Sequence, residues 1–347
     1  MIYKSNKILA MATLAAMLFA QGAEVHAQPQ IGSTLATVRE RGHLLCSTGG
    51  ASPGFSAFDS RGVPQGIDAD ICRAVAAAVF GDASRVRFVT TSSSQRVLNL
   101  QSGAVDLAAQ SMTWTHTREA ANGLVFASTH YYDGQGFLTR TSLGLQSARE
   151  LQGATVCAPA GGRAEINAAE WARSIGLRIT IILFDRTDEV IAAYGSGRCD
   201  AITNDASLLA GLRSGLQNPA EHVVLPDRIS KEPLGTYVRK GDDNWLDIVR
   251  WTVQALINAE ELGITRENSE QMLTSTNPLV RRLLGVAGDH GRMMGLDNRW
   301  AISAIQAVGN YGQLYDRHFG EASQTPTPRG INRLWTDGGI MYGAPVQ

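Results

Sequence analysis

Beyond the first few dozen residues, short apolar runs of strand length alternate with stretches whose apolar residues recur at helical spacing. Residues 43–48 (His-Leu-Leu-Cys-Ser-Thr) and 86–89 read as buried strands. Residues 68–80 carry Ile71, Val75 and Val79 on one face and stop at Gly81, the pattern of a helix. A helix over 94–100, ended by Gly103, precedes a strand over 105–109 that delivers Gln110, Ser111 and Thr113. The same order returns further on: a strand at 154–158, a Gly161-Gly162 turn, a helix from Ala164, strands at 179–183 and 199–203 with a helix at 188–194 between them, and an end at Asn204-Asp205. Strand, helix, strand without a hairpin signal implies right-handed parallel crossovers, and ligands in such sheets sit beyond the C-terminal strand ends.

The repetition has a local signature. Ser102-Gly103-x-x-Asp106 and Ser196-Gly197-x-x-Asp200 each lead into a short apolar run that ends in hydroxyls and amides. Two similar halves imply an α/β chain of two lobes, each a central sheet flanked by helices, with a pocket between them. The chain crosses between lobes twice, in a strand over 126–140 and in an extended stretch from Glu232, so the crossings form a hinge. This division gives a first lobe over 28–138, a second over 139–232, and a return over 233–347. The return carries a long helix from Asp242 with Trp245, Val249, Thr252 and Leu256 on one face, followed by a C-terminal extension expected to pack over the first lobe.

At 347 residues the length suits two domains of about 150 residues each. Lys4, Lys7, an apolar run over 8–20 and Val25-His26-Ala27 read as an export signal over 1–27, cleaved after Ala27. The apolar run is shorter than the ~20 residues that span a bilayer, so a soluble protein exported to the periplasm is expected. With Lys+Arg 31 against Asp+Glu 32, the net charge of −1 offers no basic field for nucleic acid. Cys46, Cys72, Cys157 and Cys199 allow three pairings in an oxidising compartment. The lobe division selects Cys46 with Cys72 and Cys157 with Cys199. No C-x-x-C or H-E-x-x-H spacing occurs, so neither a metal nor a cofactor is expected.

No nucleophile and base declare themselves: G-x-S-x-G is absent and the histidines are scattered. Binding is the simpler expectation, with no catalytic residue. Arg118, just past Thr113, is placed to hold a carboxylate in bidentate fashion, or is a surface arginine at a helix start. Asp205 is placed to take an ammonium, to cap the helix carrying Leu208 and Leu209, or both. The Gly161-Gly162 turn before a helix offers unpaired N–H groups to an anion, and Arg163 is either solvated or reaches the cleft. A Gly-, Ser- and Pro-rich loop over 49–66 carries Phe55 and Phe58, and Phe55 is counted with the ligand contacts.

These residues resemble a known family. Asp-x(8)-Thr-x-x-Arg ending at Arg118, Gly66-x-Asp68-x-Asp70, and Gly197-Arg198-Cys199-Asp200 with Asp205 are similar to the periplasmic binding proteins of polar amino-acid ABC transporters, solute-binding protein family 3. Tyr-Tyr-Asp-Gly-Gln-Gly-Phe from Tyr131, Ile-Ser-Lys-Glu-Pro-Leu-Gly from Ile229, Asp-Ile-Val-Arg-Trp-Thr from Asp247, Asn-Ala-Glu-Glu-Leu-Gly from Asn258 and Gly-Asn-Tyr-Gly from Gly309 resemble its general L-amino-acid-binding branch. The likeness covers nearly the whole chain after the signal, including all four cysteines. It implies a type II two-lobe fold, a monomer, an L-amino-acid ligand and permease subunits of the inner membrane as partners. It also implies that Arg118, helped by Thr113, clamps the ligand carboxylate while Asp205 pairs with its amino group. Two departures stand out. Gln110-Ser111 replaces the branch's usual Arg-Asn, and Gly161-Gly162-Arg163 its usual Gly-Thr-Thr. A dehydratase of cyclic acids on the same fold, with Glu165 as its acid or base, and a sensor subunit are the rival readings.

Overall fold

The computed structural model describes residues 33–347; the export signal expected over 1–27 lies outside the described residues. In chain order, helix α1 (Ser33–Arg41) leads into β1 (Leu44–Thr48). The short strands β2 (Ala51–Ser52), β3 (Ser56–Phe58) and β4 (Pro64–Gln65) form a small sheet before α2 (Ile67–Phe80), β5 (Val86–Thr90), α3 (Arg96–Ser102), β6 (Leu107–Thr113), α4 (His116–Ala120) and β7 (Leu124–Asp133). The second half runs β8 (Gln135–Arg140), β9 (Thr155–Pro159), α5 (Arg163–Ser174), β10 (Thr180–Phe184), α6 (Thr187–Gly195), β11 (Ala201–Asp205), α7 (Ala206–Ser214), β12 (His222–Val224) and β13 (Glu232–Arg239). Helix α8 (Asp243–Glu261) follows, then α9 (Pro278–Leu283), α10 (His290–Met293), α11 (Trp300–Val308) and α12 (Tyr311–Phe319).

Two five-stranded sheets result, ordered β5-β1-β6-β13-β7 and β10-β9-β11-β8-β12. In each, the first three strands are parallel and the last two join antiparallel. The repeated Ser-Gly-x-x-Asp does the same job twice. Asp106 donates its backbone N–H to the Leu45 carbonyl (2.9 Å) while its carboxylate accepts from Leu45 N (2.8 Å). Asp200 does this with Thr155 (2.8 Å both ways). Each aspartate therefore sets the register of the central parallel pair, which fixes where the strand ends fall.

The segment over 126–140, expected as one crossing strand, is two strands in different sheets. Strand β7 ends at Asp133, and β8 starts at Gln135 on the other side of Gly134. The lobe boundary expected at 138/139 thus falls inside β8, and the change of sheet comes a few residues earlier. A side chain at Gly134 would put its Cβ 2.9 Å from the Ser230 carbonyl oxygen, so glycine there lets the two crossings lie side by side. Ile229 N donates to the Gln135 carbonyl (2.9 Å) and Gln135 N to Ser230 Oγ (3.2 Å), tying them together.

Cys46–Cys72 joins β1 to α2, and Cys157–Cys199 joins β9 to the turn before β11, one bridge in each lobe as expected. Their sequence separations of 26 and 42 make each worth about 3–4 kcal/mol of loop-closure entropy. The C-terminal extension packs on the first lobe, where α11 lies against α2 and α8 in one continuous apolar core. Polar ties fasten it. Arg317 and His318 reach Asp70 (2.6 and 2.8 Å), Tyr311 Oη donates to the His130 carbonyl (2.9 Å), and Asn332 pairs with both backbone groups of Tyr132.

Candidate functional site

The C-terminal ends of β1, β6, β9 and β11 meet across a cavity of about 600 Å³, within the range usual for small-molecule sites. Gln110, Ser111 and Thr113 line it from the first lobe, and Gly162, Arg163 and Asp205 from the second. The lobes touch beside it: a Cβ on Gly161 would lie 2.8 Å from Ser94 Cα, and one on Gly211 would lie 2.9 Å from the Pro53 carbonyl oxygen.

The first-lobe wall is built on a bulge. The pairing of β6 with β13 slips where Met112 faces Gly235 and Ala109 faces Thr236, leaving Gln110 and Ser111 as the extra length. Ser111 takes φ 47°, a left-handed conformation that costs a non-glycine residue about 1–3 kcal/mol. It is pinned there by a buried chain in which its Oγ donates to Asp68 (2.8 Å) and Asp68 meets His130 Nε2 (2.7 Å). The Gln110 amide is equally committed, accepting from Ser47 Oγ (2.7 Å) and Thr91 Oγ1 (2.8 Å) and donating to the Thr91 carbonyl (2.8 Å). Both side chains reach the cavity but spend their polar atoms on the scaffold.

Two expected contacts change place. Phe55 does not face the cavity: it is fully buried and packs edge-on against Tyr131 (5.1 Å) and Phe319 (4.9 Å), because the loop folds back onto the aromatic core of the C-terminal extension. Phe58, 46% exposed, lines the cavity instead. Arg118 lies behind the wall, with a guanidinium nitrogen on the Thr113 carbonyl and its charge over the Tyr237 ring (5.9 Å). Burial and then the nearby Arg163 lower its pKa, although the neighbouring Tyr237 and Glu232 oppose the shift.

Arg96, the first residue of α3, lines the cavity directly and went unassigned in the sequence. Its Nη1 donates to the Gln110 carbonyl (2.9 Å), while its buried Nε has no partner. Burial and repulsion from Arg118 bring its pKa down to about 9, against attraction from Asp205 and Asp68, so it remains a cation at neutral pH. The readable signal was a lone arginine closing a Ser-rich run at a helix start, level with the strand ends.

Asp205 occupies the N-cap position of α7, yet its side chain makes no capping bond. Asp133 does that work from the first crossing, accepting from both Ser207 N (3.1 Å) and Ser207 Oγ. The Asp205 carboxylate is thereby left to the cleft. Burial, then the Asp133 and Glu232 carboxylates, push its pKa well above the usual carboxylate value, while Arg96 and Arg118 pull the other way. Arg163, open to either role in the sequence, lines the cavity. Its Nη2 donates to Asn167 Oδ1 (2.7 Å), Asn167 donates to Glu232 (2.7 Å), and its buried Nε has no partner. Glu165, half-buried in the first turn of α5, does not line the cavity. Among the described residues no cluster of side chains could hold a metal, and no helix is long and apolar enough to cross a membrane.

Two lobes of this topology, joined by two adjacent crossings around a polar cleft, define a type II periplasmic binding protein. A sequence model of the bacterial extracellular solute-binding proteins, family 3, matches residues 44–267, and the chain belongs to that family. The general L-amino acid-binding periplasmic protein AapJ of Rhizobium johnstonii is 44% identical over 344 residues, 99% of each chain. The glutamate/glutamine/aspartate/asparagine-binding protein BztA of Rhodobacter capsulatus is 46% identical over 316 residues, 91% of this chain and 94% of that one. A solved periplasmic binding protein of an ABC transporter from Brucella ovis, with glutathione bound, superposes with a TM-score of 0.88 at 45% identity. The match covers 90% of this chain and 99% of that one. These relatives span the C-terminal extension, which lies beyond the family match.

Proposed function

We propose that this chain is the periplasmic receptor of an ABC importer, closing on an L-amino acid in the interlobe cleft and presenting the closed form to permease subunits of the inner membrane. The observation that carries the reading is Asp205, a carboxylate relieved of its capping duty that shares the cavity with Arg96 and Arg163, neither of which forms an ion pair among the described residues. A free amino acid offers the matching zwitterion: its ammonium goes to Asp205, and its carboxylate to Arg96, to Arg118 behind Thr113, and to the Thr113 hydroxyl. Closure removes water, and each charge pair gains strength as the local dielectric falls. The chain works as a monomer without cofactor or catalysis, after cleavage of its signal behind Ala27. The names of AapJ and BztA, and the γ-glutamyl head of the glutathione in the Brucella ovis protein, support an amino-acid head group.

The test is a thermal-shift screen of the twenty amino acids on protein unfolded and refolded to strip bound ligand, followed by calorimetry on the hits. Ligand at 100-fold over its Kd stabilises the native state by about 2.7 kcal/mol, which such a screen resolves. No shift with any of the twenty would refute the reading.

A further inference from the structure

The cleft holds more uncompensated positive charge than an amino-acid head group consumes. Arg96 and Arg163 line the ligand space with Arg118 buried behind its wall, and among the described residues none of the three forms an ion pair. Arg96 and Arg163 both line the cavity and each keeps a buried Nε without a hydrogen-bond partner, and Arg96 as a whole is only 7% exposed. Against them, inside the rim, the cavity presents Asp205 without an ion-pair or capping partner among the described residues. Asp68 also lines it, but Ser111 and His130 occupy its two oxygens. Glu232 is buried behind Asn167 with one oxygen taken by Asn167 and Ser230. Asp185, Arg186 and Asp188 stand exposed at the rim, with Arg186 and Asp188 paired to each other.

A zwitterionic head group satisfies Asp205 and the first-lobe arginines Arg96 and Arg118. Arg163, which projects from the opposite lobe at the start of α5, is then left over. We infer that Arg163 receives a second carboxylate, so that the ligand is an α-amino acid bearing another acid group: a free acidic amino acid or a γ-glutamyl peptide. The inference rests on the amino-acid reading above and deepens it. Three features fit Arg163 for the task. Its Nη2 bond to Asn167, itself anchored on Glu232 at the second crossing, fixes the guanidinium in one orientation. Its Nη1 makes no hydrogen bond among the described residues, which leaves that end of the fork free for an oxygen. The Gly161-Gly162 turn before it adds the N-terminal N–H groups of a helix twelve residues long to the same anion. A cavity of about 600 Å³ admits both sizes of ligand.

Calorimetry on ligand-stripped protein decides it, with glutamate, aspartate, glutamine, asparagine and γ-glutamylglycine as probes, in the native chain and in Arg163→Thr. The native chain should bind at least one acid about tenfold or more tightly than its amide. In Arg163→Thr that ratio should collapse to within about threefold, through a loss on the acid alone. A matching circular dichroism spectrum and amide affinity would show that the variant is folded and its head-group site intact. Tightest binding of γ-glutamylglycine would assign the second carboxylate to a peptide, and tightest binding of glutamate or aspartate to the free amino acid; either supports the inference. An amide bound as well as its acid in the native chain, or an acid preference that survives in Arg163→Thr, overturns it while leaving the amino-acid reading standing. Failure of every probe and of all twenty amino acids overturns both.

Discussion

Replacing Asp205 by asparagine should make the empty protein more stable and the receptor useless. Asparagine keeps the shape of the side chain and removes its charge. In the ligand-free cleft that charge is a liability: burial and the carboxylates of Asp133 and Glu232 push the Asp205 pKa well above its usual value, and no cap or ion pair compensates. The folded state thus holds the proton more tightly than the unfolded chain, and stability falls as pH rises through the window above the free carboxylate range. Asp205→Asn lacks that fall. The Tm difference between variant and native chain, both free of ligand, should be near zero around pH 4 and positive at pH 7. Binding moves the opposite way. Removing one partner of a desolvated charge pair costs about 2–5 kcal/mol, which weakens Kd about 30-fold to several thousandfold. Because the ligand ammonium selects the ionised carboxylate, binding to the native chain should also release a proton near the raised pKa, visible as a buffer-dependent calorimetric enthalpy. Scanning fluorimetry without ligand and calorimetry with it test the two halves. A variant that binds within about threefold of the native chain, or that melts lower when empty, would refute the assignment of Asp205.

Two other substitutions probe the frame. Gly161→Ala places a Cβ at 2.8 Å from the Ser94 backbone in a residue at φ +70°, so the lobes should be unable to reach their present contact. Ligand affinity should drop by about tenfold or more, and small-angle scattering should lose the compaction on ligand addition that is expected of the native chain; compaction equal to the native chain's would disprove the contact's role. Asp70→Asn tests the anchor of the C-terminal extension. Burial raises the Asp70 pKa, but His318, Arg317 and Arg73 outweigh it and hold it at about 2. A pKa lowered from 3.8 to about 2 contributes about 2 kcal/mol, present above pH 4 and lost as pH falls towards 2. Denaturant unfolding should therefore separate variant from native chain at pH 7 and bring them together at pH 2, and a gap independent of pH would exclude the ionic anchor.

The repeated half was legible because two lobes of the same topology need the same register device, and Asp106 and Asp200 supply it in the same sequence frame. The disulfides followed from that division, since each bridge stays within one lobe. Side-chain direction was not legible. Phe55 and Phe58 lie three apart in one glycine-rich loop, and only the aromatic core built by Tyr131 and Phe319, distant in sequence, decides which of them turns inward. Asp205 at a helix start reads as an ammonium partner, a cap or both, and no local pattern discloses that Asp133, from the first crossing, has taken the capping role. Arg96 escaped for the same reason: its importance comes from a carbonyl on a bulge in another strand.

The two departures from the family pattern have opposite structural outcomes. At the first-lobe strand end, where the resembled branch carries Arg-Asn, Gln110 and Ser111 turn their polar atoms into the scaffold and brace a strained bulge. At the second-lobe turn, where the branch carries hydroxyls, Arg163 brings a cation with a free edge into the cleft. An arginine missing from one wall is therefore matched by an arginine gained on the other. The site of discrimination thereby moves to the second lobe. A cation carried by the second lobe meets its anion only on closure, and Arg163 leads through Asn167 to Glu232 at the second crossing. A ligand without the second carboxylate gains nothing from Arg163 on closure, so the discrimination between acid and amide is made in the closing step itself. Neutral amino acids should then bind, where they bind at all, with less compaction than acidic ones.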